Sequence, residues 1–185
     1  MRLLALVAVT LAAGAAACAG TSAPPATLGA GALPGLDSRA RTLDAAALAE
    51  DALEPAELAA LLDGAGYAAG SEREFFGRTD TFDHVVARAL RFESPDGAGA
   101  YLGWLAGHAR DLLGRAGAEA PLPLGDAGLL FSLVACGTCK KELPTFLAAW
   151  RRGDTVRWLL AAGRGASRHT VEALARVLDT AGTEH

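Results

Sequence analysis

Cys136-Gly137-Thr138-Cys139 is the one stretch of this sequence where residue type and spacing together offer covalent chemistry. Two thiols separated by two residues can close a short disulfide, exchange it with another protein, or supply half of a zinc site. Redox exchange needs a helix that begins at the first cysteine. A helix N-terminus lowers the pKa of the first thiol of such a pair, and the second thiol resolves the mixed disulfide. Zinc needs a second pair of ligands, and neither His169 nor His185 has a matching companion. No metal and no cofactor is therefore expected. The third reading is a structural disulfide between Cys136 and Cys139, which closes so small a ring that it fixes loop shape more than it stabilises a fold.

No other catalytic pattern is present: there is no G-x-S-x-G, H-E-x-x-H, Walker loop or Rossmann glycine triplet. The four histidines (His84, His108, His169, His185) fall in unrelated contexts, and Glu72/Glu74 and Glu50/Asp51 read as exposed charges. A net charge of −4 and a pI near 5.5 argue against a nucleic-acid or anionic-membrane surface. Alanine fills 43 of the 185 positions, Ile, Asn and Gln do not occur, and 15 of the 17 basic residues are Arg. This is the bias of a GC-rich genome, so the alanine content is weak evidence for helix.

The N-terminus carries an address. Met1-Arg2 precedes an eleven-residue apolar run over 3–13, too short for the roughly 20 residues of a membrane span and right for a signal-peptide core. Ala15-Ala16-Ala17-Cys18 then resembles a bacterial lipobox, whose cysteine is acylated and becomes the mature N-terminus. Ala15 departs from the leucine usual there, and the same alanines also suit ordinary signal peptidase. The resemblance implies a signal peptide over 1–17, lipidation at Cys18, and a Pro/Gly-rich tether over 18–36. A single domain over 37–185 follows. With Cys18 acylated, Cys136 and Cys139 are left as an even pair outside the cytoplasm.

Around these residues the chain alternates helices with strands. Residues 43–62 form helix, broken near Glu54-Pro55. Residues 66–79 read as a strand that turns around near Gly77 to Asp80, and 81–93 as another, with Phe82, Val86, Leu90 and Phe92 on one face and His84 and Arg88 on that same side. Ser94-Pro95-Asp96 starts a helix whose stripe is Ala98, Tyr101, Leu102, Leu105, Ala109, Leu112 and Leu113, with His108 on its wet face. Strands follow over 129–135, 145–151 and 155–162. The last two are joined at Arg152-Gly153-Asp154, which is read as a hairpin turn and not as an adhesion motif. Trp150 and Trp158 stand at similar distances from that turn and are expected on a shared core face. Ser167 caps a final helix with the stripe Val171, Leu174, Ala175 and Leu178.

The expected fold is α+β, with a mostly antiparallel sheet, helices on one face and the order α-ββ-α-βββ-α. Lipobox, tether, the strand leading into Ser94-Pro95-Asp96-Gly97, and the hairpin 150–156 before a terminal helix resemble the small α+β domains of actinobacterial-type lipoproteins, including those with a PsbP-like half-barrel. That resemblance implies an envelope protein of binding or accessory type, held to the extracytoplasmic face of the membrane by its lipid. Its partner would be an envelope protein or a small ligand, not a nucleic acid. Locally, 129–144 also resembles the active-site segment of TlpA-type thiol–disulfide oxidoreductases: strand, C-x-x-C, a basic residue, then Glu-x-Pro. The chain departs from that family in having no proline after Pro144 to serve as the cis-proline, only 41 residues beyond it, and Ala135 where an aromatic residue is usual. Residues 143–150 separate the two readings, since a strand there favours the binding module and a helix the oxidoreductase.

Overall fold

The hairpin organises the sheet. In the computed structural model, which describes residues 23–112, 118–133 and 143–181, strand β6 (Thr145–Arg152) returns as β7 (Thr155–Ala162) with Arg152 facing Thr155. The turn therefore has two residues, and Gly153 takes the positive φ of 57° that such a tight reversal requires. Residues 143–150 are thus mostly strand, the outcome that favours the binding module over the oxidoreductase. The cysteines themselves (Cys18, Cys136, Cys139) lie outside the described residues, as does His185.

The other strands add on both sides of this hairpin. They are β1 (Leu36–Leu43), β2 (Tyr67–Gly77), β3 (His84–Phe92), β4 (Glu119–Pro121) and β5 (Ala127–Leu133). The order across the sheet is β1-β2-β3-β7-β6-β5-β4, and every pairing is antiparallel. The helices are α1 (Ala45–Glu50), α2 (Pro55–Gly64), α3 (Pro95–Leu112) and α4 (Arg168–Ala181). Their starts follow local chemistry. Asp44 accepts the Ala47 N–H at 2.8 Å, Pro55 opens α2, and Ser94 accepts the Gly97 N–H at 3.1 Å. Ser167 accepts the Thr170 N–H at 3.2 Å.

The α+β class and the antiparallel sheet hold, with three differences from the sequence reading. First, β1 and β4 are additional, while the break expected near Glu54-Pro55 separates α1 from α2. Second, helices cover both faces of the sheet. Leu48, Leu58, Leu62, Tyr101 and Leu105 pack on Leu90, Leu147, Val156 and Trp158. On the opposite side, Val171, Leu174 and Leu178 of α4 pack on Phe75, Val85, Trp150 and Leu159. Third, Trp150 and Trp158 belong to these opposite faces. Trp150 faces Arg157 across the hairpin, because a two-residue turn shifts the parity that a three-residue turn would give. Phe82 also falls outside β3 and packs with the α4 side.

Part of the segment read as a tether lies against the domain. Leu28 is 1% exposed in the α4-side core, Ser71 Oγ donates to the Pro25 carbonyl, and Arg91 Nη2 donates to the Ala23 carbonyl at 2.6 Å. Among the described residues no helix is long and apolar enough to cross a membrane.

Candidate functional site

Strand register lines up two rows of side chains on the sheet face beneath α1–α3. In the first row Arg41 of β1 faces Glu72 of β2, Glu72 faces Arg88 of β3, and Arg88 faces Trp158 of β7. In the second row Arg39 faces Glu74, Glu74 faces Val86, Val86 faces Leu160, and Leu160 faces Leu147 of β6. Each row runs from charged at the β1 edge to apolar at the sheet centre. A cleft of about 670 Å³ opens above both rows. Its other wall is Leu48, Asp51 and Ala52 from α1 and its end, Leu58 of α2, and Tyr101, Trp104 and Leu105 of α3. The volume lies within the usual range for small-molecule sites, as does the mixture of apolar walls with a few convergent polar groups.

The charges form a closed set. Arg41 Nε donates to Glu72 Oε1 at 2.6 Å and Arg88 Nε to Glu72 Oε2 at 2.5 Å. The Nη2 groups of both arginines then reach up to Asp51 Oδ2, Arg41 at 2.5 Å and Arg88 in a closer contact. The Arg88 guanidinium also lies over the Trp158 ring, 4.8 Å from its centroid. Burial alone would raise the Glu72 carboxyl, but the Arg41 hydrogen bond and the Arg88 charge outweigh it and hold the group below the usual carboxylate range. Glu74, bonded to His84 Nε2 at 2.7 Å and to Arg39 Nε at 2.5 Å, is also lowered, again against its burial. Burial pushes the Tyr101 hydroxyl up to about 12.

Several sequence expectations change here. Glu72 is not an exposed charge: it is 6% exposed and central to the network, while Glu74 and Asp51 line the same cleft. Arg88, placed on the apolar side of its strand from sequence, is buried and structural to the site. His84 is the half-exposed sheet histidine its context suggested, paired with Glu74. His108 is not simply solvated, since its ring stacks on Trp104 with centroids 4.5 Å apart. Burial of Glu72 was hidden because its partners stand 16 and 31 residues away. The available signal was the repetition of charge at alternate positions, Arg39/Arg41 and Glu72/Glu74, which places each pair on one face of a strand.

Outside the cleft, Glu54, Glu57 and His108 each bring one potential ligand atom within 4.8 Å of the others. Glu57 Oε1 accepts the Trp104 indole N–H at 2.9 Å and lies 3.4 Å from His108 Nε2, which accounts for its position without a cation.

No family model matches the chain, and no curated protein does. Among solved structures it is similar to the extracellular domain of PknH from Mycobacterium tuberculosis, with a TM-score of 0.54 over 80% of this chain and 86% of that one. The two sequences are 15% identical, so the likeness is one of fold.

Proposed function

We propose that this chain is an extracytoplasmic envelope protein, anchored by a lipid on Cys18, whose domain binds a small ligand in the cleft between α1–α3 and the sheet. The observation that carries the reading is the cleft itself: about 670 Å³, apolar at the sheet centre and edged by a converging set of arginines and carboxylates. Its fold likeness to the extracellular domain of a mycobacterial protein supports the location, as does the N-terminal lipobox pattern. Cys136 and Cys139 act as a structural disulfide in the connection between β5 and β6. Strand β6 supports this over the thiol–disulfide oxidoreductase reading, which needs a helix there.

Two experiments test the proposal. Nile red, a neutral apolar dye, should bind the full chain carrying Cys18→Ser with one site per molecule. Leu160→Trp, which fills the cleft from β7, should abolish that binding while the circular dichroism spectrum is kept. Dye binding that ignores Leu160→Trp would refute the cleft as the site. For the anchor, Cys18→Ser should move the protein from the membrane fraction to the medium, and retention in the membrane would refute the lipid assignment.

A further inference from the structure

Asp51 occupies a seat built for an anion. Glu72 satisfies the Nε groups of Arg41 and Arg88 from the sheet floor, at 2.6 and 2.5 Å. Their Nη2 groups converge above it on a single oxygen, Asp51 Oδ2, with Arg41 Nη2 also donating to Glu72 Oε2 at 3.1 Å. Two guanidinium groups aimed at one point is the arrangement that receives a carboxylate or phosphate oxygen.

Of the two carboxylates Asp51 is the less fixed. It comes from the C-terminal end of α1, a helix of six residues, and not from the sheet. A carboxylate at that end gains nothing from the helix dipole. Its side chain is 34% exposed, against 7% for Glu72 and 10% for Arg88. The floor of two arginines and one glutamate carries a surplus of one positive charge, and Asp51 now balances it.

The rest of the cleft says what the anion would be attached to. From the seat, the wall continues through Val86, Leu160 and Leu147 to Tyr101 and Leu105. The aromatic rings offer little open surface for a stacked sugar or base. Trp104 is already stacked against Tyr101 at 6.0 Å and His108 at 4.5 Å, and the Arg88 guanidinium lies over Trp158. The Trp158 indole N–H, buried in the lining, interacts with the Tyr101 hydroxyl without reaching a well-formed hydrogen bond.

Taking the cleft as the ligand site, as proposed above, we infer that it receives a single-chain anionic amphiphile whose carboxylate or phosphate head replaces Asp51 between Arg41 and Arg88 while its tail lies along the apolar arm. Asp51 is then an internal stand-in that keeps the arginines paired when the cleft is empty.

The test uses the full chain with Cys18→Ser and follows displacement of Nile red by dodecanoate, dodecyl phosphate and dodecanol, each below its micellar concentration. At least one of the two anions should compete tenfold or more better than dodecanol, and whichever is stronger identifies the head. Asp51→Asn should tighten the anions about tenfold and leave dodecanol unchanged, because it removes the built-in competitor. Arg41→Met, at a half-exposed position, should erase the preference for anions. Equal competition by all three compounds, or anion binding indifferent to Asp51→Asn, would overturn the inference while Nile red binding kept the cleft reading intact. Absence of Nile red binding from folded protein would remove both.

Discussion

The two faces of one sheet are built for different purposes. Under α4, Trp150, Leu159, Ala161, Val171, Ala175 and Leu178 are all fully buried, and the helix closes on the strands along an apolar stripe. The charges admitted there include Asp179, which accepts the Trp150 indole N–H at 3.0 Å and the Arg152 guanidinium at 3.1 and 2.5 Å, and Arg157, 4% exposed opposite Trp150. Beneath α1–α3 the same strands present charged rows at the β1 edge, which an apolar helix could not cover without stranding them. Tyr101 and Leu105 of α3 close over the centre of the sheet, and the short α1 and α2 pack at its β1–β2 end. The space left between them is the cleft. A sheet can thus draw its stability from one face and keep a site on the other, the parity of each strand deciding which residue serves which.

Leu159 and Leu160 give the sharpest way to break that comparison, being neighbours on β7 that point to opposite faces. Leu159 is 0% exposed under α4, so Leu159→Ala should cost about 4 kcal/mol, towards the upper end for a well-packed leucine. Leu160 borders open cleft volume, and Leu160→Ala should cost about 1 kcal/mol, because no closed cavity is created there. Urea unfolding of the two variants measures the difference. Equal losses would mean that the α1–α3 face is as tightly packed as the other.

The buried carboxylates extend the comparison to charge. Glu72→Ala leaves Arg88 buried with only the half-exposed Asp51 to pair it and should cost about 3 kcal/mol. Asp179→Asn keeps an acceptor for Trp150 but removes the charge facing the half-exposed Arg152 and the buried Arg157, so about 2 kcal/mol is expected. Both carboxyls are held below their ordinary values of 4.5 and 3.8, against the burial that would raise them. Their contribution is therefore complete above those values and is lost as pH falls through the depressed folded ones. Stability followed from pH 7 down to about pH 3 should fall more steeply in the wild type than in Glu72→Ala. Parallel curves would mean that the Glu72 pairs add nothing to folding.

Much of this was legible locally. The caps at Ser94 and Ser167, the stripes of α3 and α4, and the strands of the terminal hairpin all follow from patterns within about ten residues. Strand β1 was not, because its sequence LDSRARTL is mostly exposed and alternates charge where a core strand alternates apolar groups. As an edge strand it is held by one partner, and its arginines are explained only by the glutamates of β2. The tryptophan faces were missed by a single residue of turn length, enough to reverse every side chain on the returning strand. The cleft required all of these at once: β1 in place, the parity of β7, and Asp51 brought down from a helix end. None of these is a property of a short window.

Arg39 is where the smallest effect is expected, and it bears on how the cleft edge is held. Its side chain is 75% exposed although its Nε lies 2.5 Å from Glu74 Oε2, and exposed pairs of this kind contribute little once solvent and side-chain entropy are counted. Glu74 also keeps His84 as a second partner at 2.7 Å, so removing Arg39 does not strand it. Arg39→Ala should change the urea midpoint by no more than about 0.5 kcal/mol in free energy. The same variant should weaken an anion held at the cleft mouth, because one of the three arginines lining it is gone. An unchanged stability with weakened dodecanoate competition would assign this rim to ligand and not to folding. A loss well above 0.5 kcal/mol would mean instead that β1 depends on its charges to stay paired at the sheet edge.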